Sequence, residues 1–216
     1  MSGTITPQIL LRAYAAGIFP MAEDAGDNSL YWVEPEERGI LPLSGFHVPR
    51  SLAKTIRRQD FDIRVDTQFE QVMRACSAQT DNRPSTWIND RIINLYKQLH
   101  KMGCGHCVEC WHDGELVGGL YGIRIGAAFF GESMFSRKTD ASKVALVHLV
   151  ARLKVGGFAL LDAQFKNDHL TQFGLATVSR DEYHLMLEPA LGVDAEFDAF
   201  DGDDDSEKVL RLARQG

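Results

Sequence analysis

Residues 140–154, DASKVALVHLVARLK, hold the clearest helical pattern in the chain, closed by Gly156-Gly157. A shorter helix is predicted over 6–16, with Ile9, Leu10, Ala13 and Tyr14 on one side and Gly17 as its stop. Pro49 precedes another at 50–58. Asp66 or Thr67 is expected to cap a helix with Phe69, Val72, Met73 and Cys76 on one face, and Asn89 one that runs to Met102 and ends at Gly103. Apolar and polar residues alternate in FDIRV (61–65), the mark of a strand. HCVECW and ELVGGLYGI flank Asp113-Gly114, a strong hairpin turn signal, and the strand AAFFGESMF follows. FALLDAQF (158–165) reads as an apolar strand. A helix near 168–173, a strand ATVSR and a helix near 181–188 come after it. From residue 61 the order is β-α-α-β-β-β-α-β-α-β, which predicts an α/β fold with a mixed sheet flanked by helices.

Residues 17–43 break these rhythms with Pro, Gly and aromatics, so residues 1–45 read as a small α+β unit with short strands. Residues 46–193 form the main domain. The formal charge of −7 is uneven: residues 194–207 hold eight acids and no base, and residues 208–216 three bases and no acid. Together these account for −5, leaving −2 on residues 1–193. Residues 194–216 are therefore expected to be a solvated, mobile acidic tail. A nucleic-acid partner would need a local basic surface. No apolar run reaches 18 residues, the polar start MSGTITPQ does not read as a secretory leader, and four cysteines in 216 residues suit a reducing, cytoplasmic compartment.

Four groups of residues could carry chemistry. Cys104, Cys107 and Cys110, with His106 and His112 nearby, have metal-like spacing, but on a strand Cys107 and Cys110 face opposite ways. Arg50, Lys54, Arg57 and Arg58 make one basic stripe on a helix, either a solvated face or a phosphate-binding one. Asp162 and Gln164 share a strand face, and an acid in so apolar a strand needs a partner. That partner is a structural hydrogen bond or an active site completed by Glu132, the lone carboxylate of FFGESMFS on another strand. Trp32 and Trp87 either pack or shape an entrance.

YAAGIFPM, FHVPRSL, TWIN, LVGGLYG, FFGESMFS, DASKVAL and LLDAQF-NDHL occur in this order. Together they resemble the leucyl/phenylalanyl-tRNA–protein transferases, from about residue 8 to residue 188. The resemblance implies an N-acetyltransferase-like main domain behind a small N-terminal one. It implies transfer of Leu or Phe (and Met) from aminoacyl-tRNA to the N-terminal α-amine of proteins beginning with Lys or Arg, marking them for N-end-rule degradation. It assigns Asp162, Gln164 and Glu132 to catalysis, and Arg50, Lys54, Arg57 and Arg58 to tRNA. Leu120, Phe129, Met134 and Leu149 would wall the donor side-chain pocket, with Trp32 and Trp87 at its entrance. No cofactor, metal, DNA or membrane is implied. The sequence departs from the family pattern at Met21, where an aromatic is frequent, and at Ala163, often Cys; the three clustered cysteines are not family features.

The implied reaction is aminolysis of an activated ester, in which alignment supplies much of the acceleration. Gln164 would aim the amine, Asp162 polarise that contact or relay a proton, and Glu132 hold a cationic acceptor. Two rivals stand beside this reading. An acyl-CoA-dependent N-acyltransferase shares the element order, but SRKTDASK lacks the glycines of a pyrophosphate cradle. A non-catalytic tRNA-binding protein would leave Glu132, Asp162 and Gln164 without a task.

Overall fold

The computed structural model describes residues 5–23, 30–79 and 85–215. Parts of the irregular N-terminal unit (24–29) and of the polar loop after the Cys76 helix (80–84) lie outside them. In chain order the elements are α1 (Pro7–Ala15), β1 (Phe19–Met21), β2 (Tyr31–Val33), β3 (Glu37–Ile40), α2 (Arg50–Arg58), β4 (Asp62–Val65), α3 (Phe69–Ser77) and α4 (Asp90–Lys101). There follow β5 (Gly105–His112), β6 (Glu115–Ile125), β7 (Ala128–Ser136), α5 (Ala141–Val155), β8 (Leu160–Gln164), α6 (Asp168–Thr171), β9 (Ala176–Ser179), α7 (Arg180–Leu191) and α8 (Ser206–Arg214). The element order expected from residue 61 is the order observed as far as α7; α8 is not among the expected elements.

Seven strands form one mixed sheet in the order β4-β5-β6-β7-β8-β3-β9, with β7 and β8 parallel and the other pairs antiparallel. Two apolar clusters cover its faces. One is built on α2, α5 and α8, the other on α1, α3, α4 and α7. Cys110 packs in the first and Cys107 in the second, as strand alternation requires. The strand β3 comes from the segment read as the N-terminal unit, yet it lies between β8 and β9. Among the described residues no helix is long and apolar enough to cross a membrane.

Two local expectations are corrected. Neither Asp66 nor Thr67 caps α3; its N-cap is Gln68, which makes no side-chain cap bond. The Asp66 carboxylate turns instead to the Cys107 amide at 2.7 Å and to His106 Nδ1 at 2.6 Å. The start of α3 is held from β5 by the buried Glu109 carboxylate, which accepts from the amides of Thr67 (2.8 Å) and Gln68 (2.7 Å). Negative charge there also suits the helix dipole.

The second correction concerns residues 194–216, of which 194–215 are described and fold onto the body. Val209, Leu210 and Ala213 of α8 are buried in the α5 cluster, and so are Phe197 and Phe200 ahead of it. Asp203 accepts from His148 Nδ1 at 3.0 Å and pairs with Arg152, both on α5. Burial opposes ionisation of Asp203, but these partners outweigh it and hold its carboxyl below the usual range. Tertiary partners thus neutralise part of the charge that composition alone assigns to solvent. Leu210→Ala is expected to cost about 2–5 kcal/mol of stability, read by chemical denaturation. A loss under about 0.5 kcal/mol, the usual range for surface substitutions, would return this segment to solvent.

Candidate active site

The strands β7 and β8 pair only from Ala128–Leu160 to Phe130–Asp162. Past that point β7 runs on to Ser136 without its parallel neighbour, and a cavity of about 500 Å³ opens. Leu120, Met134 and Leu149 line it, joined by Leu41, Leu146 and Phe173. Glu132 and Asp162 stand on the same lining. An apolar cleft with a few convergent polar groups is the usual form of a small-ligand site.

Glu132 enters this cleft through a break in the ladder. Tyr121 pairs with Ser133 and Gly122 with Gly131, so Glu132 is the extra residue of a β-bulge. A bulge bends its strand and re-aims a side chain. The ladder closes tightly on one flank: a Cβ at Gly122 would lie 2.4 Å from the Phe130 carbonyl oxygen. The half-buried Glu132 carboxylate collects three donors. Oε1 accepts from Tyr14 of α1 at 2.6 Å and from Gln164 Nε2 at 2.8 Å, and Oε2 accepts from Tyr96 of α4 at 3.1 Å. The hydroxyls of Tyr14 and Tyr96 also meet each other; with one proton apiece they fill two of the three contacts among themselves and Glu132, and a proton on Glu132 fills the third. Burial pushes the Glu132 carboxyl up to about 7, and the nearby Asp162 charge adds to this, while the three donors pull the other way. Burial, together with the Glu132 charge, keeps both tyrosines protonated, well above their ordinary value.

Asp162 is 0% exposed and fully engaged. Arg38 of β3 grips it with Nε on Oδ1 (3.0 Å) and Nη2 on Oδ2 (2.6 Å), and Tyr183 of α7 donates to Oδ2 at 2.9 Å. Its Oδ1 also receives the Gln164 amide at 2.7 Å. Gln164 has φ 65, and the Phe165 amide bonds the Ala163 carbonyl at 2.7 Å, which makes a γ-turn centred on Gln164. A non-glycine residue held in this region is strained, and such strain gathers at functional sites. Gln164 Nε2 is committed to Glu132, and the residue is buried just off the cavity lining.

The structure therefore brings Glu132, Asp162 and Gln164 together, with Leu120, Met134 and Leu149 beside them. Phe129 is not on the cavity lining; it is buried beneath it, stacked on Phe197 with ring centroids 5.8 Å apart. Trp32 is exposed on β2 and Trp87 half-buried against the α3–α4 cluster, and neither lines the cavity. Arg50, Lys54, Arg57 and Arg58 are exposed on α2, opposite the buried Leu52, Ala53 and Ile56. In sequence the stripe contains no acid. In space Glu207 of α8 meets Arg57 at 2.6 Å, and Asp60 meets Arg58 at 2.9 Å.

Sequence reasoning missed Arg38, Tyr14 as a polar group, Tyr96, Tyr183 and Leu146. One signal for Arg38 existed. A carboxylate inside an apolar strand calls for a buried cation, and Arg38 stands beside Gly39, which lets β3 press on β8: a Cβ at Gly39 would lie 2.5 Å from the Phe165 carbonyl oxygen.

Residues 40–188 match the model of the leucyl/phenylalanyl-tRNA protein transferase family, and residues 3–36 match that family's N-terminal domain model. The chain belongs to this family. A leucyl/phenylalanyl-tRNA–protein transferase of Paramagnetospirillum magneticum is 63% identical over 194 residues, 90% of this chain and 93% of its own. One from Rhizorhabdus wittichii is 57% identical over 189 residues, 88% of this chain and 76% of its own. A solved domain ascribed to a lysylphosphatidylglycerol synthetase of Agrobacterium fabrum is a distant likeness: TM-score 0.40 and 13% identity, covering 89% of this chain and 64% of that one. In this transferase-family chain Arg38 falls between the two matched spans, and α8 falls beyond them.

Proposed function

We propose that the chain transfers Leu or Phe, and Met with them, from aminoacyl-tRNA to the N-terminal α-amine of cytoplasmic proteins beginning with Lys or Arg, marking them for N-end-rule degradation. The observation that carries this reading is the meeting of an apolar cavity with the Glu132 carboxylate on its lining, at the end of the β7–β8 pairing, where Gln164, itself buried off the lining, holds that carboxylate at 2.8 Å. The cavity takes the donor's aliphatic or aromatic side chain. The Gln164 side-chain oxygen accepts a hydrogen bond from the attacking amine and aims it. A C–N bond forms, the C–O bond to the terminal ribose breaks, the amine gives up a proton and the departing ribose oxygen takes one. Glu132, held near 7 by burial, is matched to an α-amine of reference pKa about 7.7–8.0 and is the base in reach. Asp162, enclosed by Arg38 and Tyr183, holds Gln164 in place and moves no proton itself.

Incubation with Phe-tRNA or Leu-tRNA and a peptide beginning with Arg is expected to yield the peptide extended by one residue. Acylation from acetyl-CoA with none from aminoacyl-tRNA, or tRNA binding without transfer, would overturn the reading. Met134→Ala is expected to enlarge the cavity and shift preference from Leu toward Phe. In such a pocket one methylene is worth only about 1–3 kcal/mol, so Val should be a clearly worse donor and Lys, which would carry a charge into it, excluded. Relative rates with Leu-, Phe-, Val- and Lys-tRNA test this. An unchanged Leu-to-Phe ratio removes Met134 from the pocket.

The α2 stripe is proposed to contact tRNA phosphates. Charge reversal at Arg50 and Lys54 is expected to reduce the salt slope of tRNA binding by roughly one unit per lost contact. Arg57, already paired with Glu207, should contribute less. An unchanged slope assigns the stripe to solvent.

A further inference from the structure

We propose that Arg38 is a positioning residue for transfer, fixing through two separate segments both hydrogen bonds received by Oε1 of Glu132. This rests on the roles given above to Glu132 and Gln164.

Arg38 is 1% exposed, and its guanidinium lies between the rings of Phe19 (4.7 Å) and Tyr183 (4.4 Å). The two rings fix its plane, so its N–H groups leave in set directions. Nε and Nη2 take Asp162 at 3.0 and 2.6 Å, while Nη1 takes the Gly17 carbonyl at 2.8 Å. The Asp162 branch continues to the Gln164 amide at 2.7 Å and holds that residue at φ 65. Gln164 Nε2 then reaches Oε1 at 2.8 Å. The Gly17 branch pins the turn that closes α1: the Gly17 amide bonds the Tyr14 carbonyl at 2.9 Å, and Tyr14 reaches the same Oε1 at 2.6 Å. One side chain from β3 thus registers α1 and β8 against one carboxylate oxygen on β7.

Stability alone is a weak account of this arrangement. Buried ion pairs seldom outperform apolar packing of similar volume. What the planar fork supplies is direction toward two acceptors at once, which a lysine ammonium on a flexible stem does not.

The test is a double-mutant cycle on Arg38→Met and Asp162→Asn, with Gln164→Ala alongside and thermal melts on each. The readouts are kcat and KM for Phe-tRNA with an Arg-initiated peptide. Arg38→Met is expected to lower kcat at least about tenfold with KM for Phe-tRNA within about twofold. The double variant should lose more than Asp162→Asn alone, because the Gly17 branch is independent of Asp162, but less than the product of the two single losses, because the Asp162 branch is shared. Wild-type kcat in Arg38→Met overturns the inference, as does a double variant whose loss is the product of the two single losses. If Arg38→Met does not fold, Arg38→Lys is read in its place, and wild-type kcat there overturns it equally. Wild-type kcat in Asp162→Asn or Gln164→Ala overturns instead the site reading beneath it.

Discussion

Replacement of Asp162 by Ala is expected to lower stability by about 3–5 kcal/mol and transfer at least about tenfold. The two losses have different origins. Stability falls because Arg38, 1% exposed, is left buried without its counter-charge. Two of its donors lose their acceptor at once, and Tyr183 loses its own. Transfer falls because the Gln164 amide loses the oxygen that holds its left-handed backbone, so the carboxamide no longer sits on Glu132. Asp162→Asn separates the two effects: it keeps the shape and one acceptor, and should recover more stability than rate. Equilibrium unfolding and single-turnover transfer on both variants decide the matter. A stable, fully active Asp162→Ala would contradict both arguments.

Glu132→Gln should behave in the opposite sense on stability. Loss of a general base costs about 10²–10⁴ in rate, so transfer is expected to fall at least a hundredfold on that scale. Stability at neutral and alkaline pH should hold or rise. The Glu132 carboxyl binds its proton more tightly folded, with the value at about 7, than at the ordinary 4.5. Folding therefore favours the protonated form, and stability contributed by this group is present below 4.5 and lost as pH rises to about 7. The gap corresponds to at most about 3 kcal/mol. The Gln variant lacks that decline, so its stability should vary less with pH across this window. Unfolding midpoints at pH 5 and pH 8 for both proteins measure it. A variant much less stable than wild type at pH 8 would mean that the carboxylate is a structural keystone.

Much of the fold was legible because its signals are local. Asp113-Gly114 turns the β5–β6 hairpin with φ 52 and 80, and Asn89 accepts from the Ile92 amide at the start of α4. The site was legible as composition, a carboxylate and an Asp-x-Gln in apolar strands, but its wiring was not. Strand alternation assumes an unbroken ladder, and the bulge at Glu132 adds a residue that no period-two pattern contains. It also puts Phe129 and Met134, five positions apart, against the same core cluster. Arg38 reaches Asp162 across 124 positions of sequence, and β3 reaches its place beside β8 only through tertiary pairing. The C-terminal segment was misread for a related reason. Eight acids dominate its composition, while the apolar face of Val209, Leu210 and Ala213 and the partners Arg152 and Arg57 become visible only in space.

The central claim is that the Glu132 carboxylate receives the proton of the attacking α-amine. Its most direct test is the rate of Phe transfer from Phe-tRNA to an Arg-initiated peptide between pH 5.5 and 8.5, for wild type and Glu132→Gln. Wild type is expected to show a rate rising with pH through about 7, where Glu132 ionises, and levelling as the amine, of reference pKa about 7.7–8.0, loses its proton. The variant should be at least about a hundredfold slower and keep only the limb near the amine's own pKa. A variant whose rate and pH profile match the wild type would contradict the claim.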